Sequence, residues 1–266
     1  MKNLATFKND ICLIAGSGFF TFEAASYLND KGNLKKIILL SKNYLIKKKF
    51  KNISYEYNIK DLEKIIKELK KDNIKDVLIL GYVKLPPIKE INLSLRSKFY
   101  LSKDFFLNNV NQQSVILKNF LKNNKINLIS QKNLFKDFLI TKEDENIKKQ
   151  HISIFKKISK NINLFKNIFK LNLTQSLILN GNRVLALEDI NGTDNLIKRL
   201  NLKKQNFNEL VFIKSKKSNQ IDEIDFPVIG LETVDLLLKN NIKIICLFRK
   251  QIIISNKRIF LDKIKK

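Results

Sequence analysis

Short apolar runs alternate with amphipathic segments along the first half of the chain. The run at residues 11–15 is wholly apolar, and those at 36–41, 76–80 and 126–130 are mostly apolar, as in buried strands of a parallel sheet. Helical spacing of apolar residues follows residue 18 and recurs at 61–71 and 115–122. This alternation predicts an α/β domain with a Rossmann-like parallel sheet.

The second half has a more varied pattern, which predicts a mixed α/β domain. A helical segment at 152–169 precedes two β-like runs, 176–179 and 184–187, around an Asn-Gly turn that indicates a hairpin. Thr193 or Asp194 is predicted to cap the helix that follows. Further on, the sequence predicts a strand at 210–214, a helix at 231–239, a closing hairpin at 243–248 and 251–255, and a short basic helix at 257–266.

Between the two halves lies a polar, charge-mixed stretch at residues 141–146. Such composition is typical of a linker, and 266 residues suffice for two domains. The sequence therefore predicts an N-terminal domain over 1–134 and a C-terminal domain over 135–266, with the linker around 135–150.

The net charge of +26 favours anionic partners, such as nucleotide phosphates or an anionic membrane surface. Lysines are spread over the whole length, whereas a nucleic-acid site would concentrate them and interleave them with aromatics. We therefore expect a solvated basic surface and no nucleic-acid partner. No apolar run reaches membrane-spanning length, and both cysteines lie in apolar runs, so a soluble cytoplasmic protein is expected.

Two glycines directly follow the first predicted strand. Gly16, Ser17 and Gly18 form a turn whose backbone N–H groups could approach a phosphate at a helix N-terminus. Thr21 stands where the dinucleotide fingerprint has its third glycine, so a Rossmann-type cofactor protein stays open only as an alternative. Gly81 and Lys84 follow the third strand and are expected to converge with this turn, although they could equally be an ordinary loop glycine and a surface lysine.

Carboxylates near element ends are the other candidates for chemistry. Asp225 precedes Pro227, which stiffens the chain just before a predicted helix. A carboxylate held there can bind a metal ion, orient water or face a phosphate, but it could also be an exposed acid of an acidic loop. Glu188 and Asp194 could hold a ligand, or they could be a turn acid and a helix cap. His151 is the only histidine, and we interpret it as structural.

Five motifs, taken in order, carry a resemblance that covers nearly the whole chain. They are IAGSG at 14–18, LGYV at 80–83, GNRVLALE at 181–188, GTD at 192–194 and DFPVIG at 225–230. Together they resemble the LpxI-type UDP-2,3-diacylglucosamine pyrophosphatases. The resemblance implies an enzyme of lipid A synthesis that uses Mg²⁺ to hydrolyse UDP-2,3-diacylglucosamine to 2,3-diacylglucosamine 1-phosphate (lipid X) and UMP. It also implies that the ligand lies between the two domains.

The resemblance assigns roles to individual residues. Asp225 matches the family's catalytic aspartate, and Lys214 and Gln220 match polar positions ahead of it. We expect the metal to be held by Asp225, with Asp194 and Glu188 as further candidates. The residues expected to bind the UDP-linked diacylated sugar are Gly16, Ser17, Gly18, Gly81, Lys84, Thr193, Lys214 and Gln220. A cytoplasmic enzyme in peripheral contact with inner-membrane lipids follows from the same resemblance.

Departures from the family pattern keep a second hypothesis open. Glu223 stands where the family often has an arginine, which would remove a bidentate contact to phosphate. Gln112 and Gln113 stand where the family has a Gly-Asp-Asp sequence. A catalytically weak homologue that binds a nucleotide-linked lipid is therefore the alternative to an active enzyme.

Overall fold

The computed structural model describes residues 10–83, 90–92, 94, 110–147, 149–181, 183–200 and 210–265. Lys84 and the side chains of Gln112 and Gln113 lie outside the described residues. The chain divides into two compact units, the first ending at Leu134 but also including Ile221–Asp225. The second unit contains Phe135–Gln220 and Phe226–Lys266. Among the described residues, no helix is both long and apolar enough to cross a bilayer.

The first unit alternates strands and helices. Its strands are β1 (Ile11–Ala15), β2 (Leu34–Leu39), β3 (Ser54–Glu56), β4 (Asp76–Leu80) and β5 (Asn127–Leu128). Its helices are α1 (Phe19–Asp30), α2 (Tyr44–Lys49), α3 (Leu62–Lys71), α4 (Val110–Asn123) and α5 (Gln131–Leu134), with a 3-10 turn at Ile59–Asp61.

All five strands are parallel, in the order β3-β2-β1-β4-β5. The predicted Rossmann-like sheet is thus confirmed. Every residue of β1 and β4 is buried, which explains why β1 is wholly apolar and β4 is apolar after Asp76. Helices α3 and α4 cover one face with Ile65, Leu69 and Phe120. The strand order reverses between β1 and β4, which is where open parallel sheets bind their ligands.

The loops that leave β1 and β4 are paired to each other. Ser17 and Tyr82 exchange backbone N–H···O bonds of 2.9 and 3.0 Å. A Cβ at Gly16 would lie 2.5 Å from the Tyr82 carbonyl oxygen, and one at Gly81 would lie 2.5 Å from that of Ser17. These two glycines therefore let the two backbones approach each other, and Gly81 also has a φ of +84°.

The second unit contains a mixed sheet and a small parallel one. Its strands are β6 (Ser176–Asn180), β7 (Arg183–Leu187), β8 (Leu210–Lys214), β9 (Val228–Ile229), β10 (Ile244–Leu247) and β11 (Ile253–Ile254). Its helices are α6 (Ile152–Lys160), α7 (Ile162–Lys170), α8 (Thr193–Arg199), α9 (Leu231–Lys239) and α10 (Lys257–Lys265), with 3-10 turns at Lys136–Phe138 and Lys149–His151.

Four strands form the larger sheet in the order β10-β8-β6-β7, and β11 pairs with β9 in the smaller one. Alternate residues of the larger sheet enter opposite cores, with Leu177 on one face and Ile178 on the other. Helices α6 and α7 cover the Leu177 face, and α8, α9 and α10 cover the other. The predicted mixed α/β domain is confirmed, whereas the position of the ligand stays a prediction.

Two local predictions for this unit are wrong. The residues around Arg249 do not join a hairpin, because β10 pairs in parallel with β8 and β11 pairs in parallel with β9. Each strand finds a partner far away in sequence instead of its neighbour. The helix predicted over 152–169 is two helices that meet at Asn161, whose backbone leaves helical geometry with φ −96° and ψ 10°.

The close approach at Gly81 generates a prediction about stability. Gly81→Ala should lower the free energy of unfolding more than Gly32→Ala, which has φ +73° but nothing within 4 Å of the added Cβ. Both variants carry the cost of a left-handed alanine, about 1–2 kcal/mol. The clash with Ser17 should add about 1–3 kcal/mol at position 81 alone. Urea denaturation of both variants measures the difference, and equal losses would show that the paired loops relax freely.

Candidate functional site

The N-terminus of α1 lies at the paired loops. Gly18 is the N-cap, with φ +116°, and it offers no side-chain hydrogen bond to the first turn of the helix. No acidic residue lies in that turn. Helix N-termini carry partial positive charge and N–H groups that lack an intrahelical acceptor, so this end suits an anion such as a phosphate.

Thr21 occupies the place of the missing third glycine and ties the loops together. Its hydroxyl donates to the Gly18 carbonyl oxygen at 2.6 Å and accepts from Asn43 Nδ2 at 2.9 Å. Its methyl group lies 2.6 Å from where a Cβ on Gly81 would be. The structure thus brings Gly16, Ser17, Gly18 and Gly81 together, as predicted, while their contact with a substrate stays a prediction.

Asp225 ends a tight turn in the first unit. Its backbone N–H donates to the Ile221 carbonyl oxygen at 3.1 Å, and its side chain is exposed. Ile224, one residue earlier, packs against the core that α3 and α4 share with the sheet. The turn therefore presents the carboxylate to solvent from an anchored backbone.

Two contacts with distant residues hold this turn. Lys118 Nζ of α4 donates to Glu223 Oε1 at 2.9 Å and forms an ion pair with it. Gln131 donates its backbone N–H to the Asp222 carbonyl oxygen at 2.8 Å and its side-chain amide to the Ile79 carbonyl oxygen at 2.8 Å. Gln131 is only 2% exposed, so it connects the end of β4 rigidly to the turn. The residue that departs from the family's arginine therefore has a structural partner.

A second polar cluster is buried at one edge of the mixed sheet. Ser176 begins β6, Lys214 ends β8 and Glu188 follows β7. Because β6 is antiparallel to both neighbours, its first residue lies beside their last ones. Thr193 begins α8 and completes the cluster. Lys214 is 1% exposed and Glu188 is 6% exposed, so both charges are withdrawn from water.

The Thr193 hydroxyl connects the two buried charges. Lys214 Nζ donates to Thr193 Oγ1 at 2.7 Å and to Ser176 Oγ at 3.0 Å. Thr193 Oγ1 in turn donates to Glu188 Oε2 at 2.7 Å, and the ammonium lies 3.7 Å from that same oxygen. A buried ion pair is stable only when such additional hydrogen bonds accompany it.

The surroundings of Glu188 set its charge. Burial raises the pKa of this carboxyl, but the Lys214 ammonium and hydrogen bonds from Ser176, Thr193 and Gln175 outweigh burial. The net result is a pKa below the usual value of 4.5, so Glu188 is ionised at neutral pH.

Two glutamines extend the cluster as far as Gln220, the residue that precedes the Ile221–Asp225 turn in the chain. Gln175 Nε2 donates to Glu188 Oε1 at 2.9 Å, and Gln220 Nε2 donates to Gln175 Oε1 at 3.0 Å. Gln220 Oε1 accepts from the Lys217 backbone N–H at 2.8 Å, which closes the loop between β8 and the turn. Three residues predicted to bind substrate, Thr193, Lys214 and Gln220, thus belong to one network.

Asp194 does not cap α8, which is one of the two roles that the sequence predicted for it. The N-cap of α8 is Gly192, with φ +85°, and no side chain caps this helix. Asp194 Oδ1 accepts instead from Thr233 Oγ1 at 2.7 Å, which links α8 to α9. The cap prediction failed because both candidate side chains have stronger partners in tertiary contacts.

The three predicted metal ligands differ in how well they suit Mg²⁺. No group of three or more His, Cys, Asp or Glu side chains that could hold a metal ion occurs in the part of the chain that the structure describes. The charge of Glu188 is already balanced by Lys214, and Asp194 is bound to Thr233. Mg²⁺ commonly uses one or two carboxylates together with water and substrate phosphates. An exposed carboxylate such as Asp225 fits that requirement, and its role stays a prediction.

Several residues of these clusters were not predicted from the sequence. Ser176, Gln175, Lys118 and Gln131 lie in ordinary apolar or amphipathic surroundings, and no local pattern distinguishes them. Lys118 and Glu223 are 105 residues apart in the chain. Only the tertiary structure brings such partners together.

Comparison with protein-family models accounts for both units. The model of the LpxI N-terminal domain matches residues 10–138, and that of the LpxI C-terminal domain matches residues 144–266. The chain belongs to the LpxI family. A comparison with curated proteins gives no match. The family's two-domain model thus covers the paired glycine loops, the buried cluster and the Asp225 turn.

The buried pair in this LpxI chain generates a prediction about stability. Glu188→Gln keeps the side-chain shape but leaves the Lys214 ammonium without its counter-charge. We expect a loss of about 3 kcal/mol in the free energy of unfolding, as for one partner removed from a buried pair. Asp189→Asn is the control, because this neighbouring carboxylate is exposed and pairs with Arg199 at the surface. A loss for Glu188→Gln no larger than that of the control would contradict the assignment.

The same pair generates a prediction about pH. A carboxyl whose pKa is lowered on folding stabilises the fold above its usual pKa, and this contribution is lost as the pH falls through the lowered value. The stability difference between wild type and Glu188→Gln should therefore be complete at neutral pH and shrink below about pH 4.5. Urea titrations at a series of pH values measure it. A difference that grows on acidification would contradict the ionised state.

Proposed function

We propose that the chain hydrolyses UDP-2,3-diacylglucosamine to 2,3-diacylglucosamine 1-phosphate and UMP, as an enzyme of lipid A synthesis. The observation that carries the proposal is the exposed Asp225 on an anchored turn, within a chain that matches both LpxI domain models. Family membership alone gives the reaction class. The turn adds an exposed carboxylate on an anchored backbone, which suits chemistry at a phosphate.

The reaction requires water in line with one of the two phosphorus atoms of the pyrophosphate. The new bond joins the water oxygen to that phosphorus, and the bond from it to the bridging oxygen breaks, so the bridging oxygen leaves with the other phosphate. Asp225 either orients this water or holds the metal ion, and both roles need an ionised carboxylate. Bound Mg²⁺ would neutralise charge on the phosphoryl oxygens.

The N-terminus of α1 and its paired loops would receive phosphate of the UDP group. The donors there are backbone N–H groups, which carry no charge that must be desolvated. The buried cluster would act differently. Its ammonium is satisfied by Thr193, Ser176 and Glu188, so it supports the loop that ends at Gln220.

The direct test of the proposal is product identification. The purified protein is incubated with UDP-2,3-diacylglucosamine and Mg²⁺, and the phosphorus-containing products are identified by ³¹P NMR. We expect UMP and the lipid 1-phosphate in equal amounts. Binding without turnover would favour the catalytically weak homologue, and neither binding nor turnover would reject the proposed substrate.

Asp225 should be indispensable for turnover. Asp225→Asn should reduce kcat at least about a hundredfold, as is typical when a general acid–base group is lost. Asp235→Asn is the matched control, because this carboxylate is 59% exposed and pairs with Lys263 on the surface. Release of UMP from both variants is the measurement. Normal turnover by Asp225→Asn would remove the central residue of the proposal.

Glu223 should act as a positioning residue through its pair with Lys118. This pair is partly exposed, with side-chain exposures of 41% for Lys118 and 22% for Glu223, so its contribution is limited to about 1 kcal/mol. Glu223→Gln should therefore lower kcat by at most about fivefold and leave KM nearly unchanged. The swapped variant, Lys118→Glu with Glu223→Lys, should recover most of the loss. Failure of the swap together with a large loss in kcat would indicate that Glu223 contacts the substrate.

A further inference from the structure

Helices α6 and α7 carry a surface whose composition differs from that of the rest of the chain. Residues 149–173 contain six lysines, at 149, 156, 157, 160, 166 and 170, and no acidic residue. They also contain no arginine and no tyrosine. All six lysines are exposed. The charged side chains that this segment exposes are therefore all cationic.

Helices α6 and α7 and the three residues that follow α7 also expose large apolar side chains. Leu164 is 57% exposed, Leu171 is 65% exposed and Leu173 is 70% exposed. Ile152 and Phe155 of α6 are also more than a third exposed, at 43% and 41%. We define the basic apolar surface as these five residues together with the six lysines. Apolar side chains concentrated in one segment in this way commonly mark an interaction site.

Core packing does not require these apolar residues. The helices already bury Ile158, Phe165 and Phe169 against the mixed sheet. Leu164 and Leu171 are seven residues apart, or about two helical turns, so they lie on one side of α7, and the C-cap Leu171 keeps helical backbone angles. Each helix thus has an inner apolar face for the core and a second, outward group of apolar residues.

Charge and composition favour one occupant over the others. Protein interfaces are depleted in lysine and enriched in arginine and tyrosine, whereas this segment has six lysines and neither of the other two residue types. Helices that lie in a membrane interface combine lysine on the polar side with leucine and phenylalanine on the apolar side. Lysine stems can also lie along apolar surface while their ammonium groups stay in water. The surface therefore matches an anionic lipid bilayer.

We propose that α6 and α7 dock the protein on the surface of an anionic membrane. Exposed leucines insert among the acyl chains near the headgroups, and the six lysines face the lipid phosphates. The attachment is peripheral and reversible, and it needs no substrate. Its test therefore stands apart from that of the hydrolysis reaction.

Vesicle sedimentation with the full chain and no nucleotide tests the proposal. One set of vesicles contains phosphatidylglycerol in phosphatidylcholine, and the other contains phosphatidylcholine alone. We expect binding to the anionic vesicles, much weaker binding to the neutral ones, and release as salt rises, because screening weakens lysine–phosphate attraction. Absence of binding to the anionic vesicles at low salt would overturn the proposal.

Matched variants localise the contact. The double variant Lys166→Gln, Lys170→Gln should weaken binding to anionic vesicles at least about tenfold, because each lysine near the membrane contributes about fivefold to the affinity. Lys239→Gln with Lys243→Gln removes the same charge from exposed positions elsewhere in the second unit and should change it little. Equal losses in the two pairs would show general charge attraction and would overturn the assignment to α6 and α7.

The apolar contribution has its own control. The triple variant Leu164→Ser, Leu171→Ser and Leu173→Ser should weaken vesicle binding at least tenfold, since each leucine loses apolar burial. Ile190→Ser removes an apolar side chain that is 88% exposed outside the surface and should have little effect. Unfolding midpoints verify that the variants fold. Unchanged vesicle binding by the triple variant would contradict membrane docking. A change in its oligomeric mass alone, with vesicle binding unchanged, would show instead that the leucines contact a second protein chain.

Discussion

A buried ammonium group constrains the segment on which the proposed chemistry depends. Lys214 lies at the end of β8, where it is withdrawn from water and held by Thr193, Ser176 and Glu188. Removing such a charge from water costs several kcal/mol, so the fold must keep these partners in place. The chain leaves this cluster and returns to it at Gln220, whose amide is bonded to Gln175. The next five residues form the turn that ends at Asp225.

The turn has independent anchors in the first unit. Lys118 and Gln131 hold its polar groups, and Ile224 joins the apolar core. The backbone before Asp225 is therefore held twice: at Gln220 by hydrogen bonds within the second unit, and at residues 221–225 by contacts within the first unit. Preorganisation of this kind places a catalytic group without a cost at the moment of reaction. The departure at Glu223 fits this view, because its carboxylate contributes to the anchoring of the turn.

Patterns of short range were sufficient to predict most of the fold. Short, mostly apolar runs indicated the strands of the parallel sheet, and the glycines indicated where its loops converge. The errors occurred where distant partners decided the outcome. Arg249 lies between two strands that pair with β8 and β9, and Thr193 donates its hydroxyl to Glu188 instead of capping α8. Tertiary hydrogen bonds overrode the local preference in both cases.

The central claim is that this protein hydrolyses the pyrophosphate bond of UDP-2,3-diacylglucosamine by adding water to a phosphorus atom. Turnover in ¹⁸O-labelled water, followed by mass spectrometry of both products, tests it most directly. The account predicts one ¹⁸O atom for each substrate molecule cleaved, carried by UMP or by the lipid 1-phosphate. Products without label, or no cleavage at all in the presence of Mg²⁺, would contradict it.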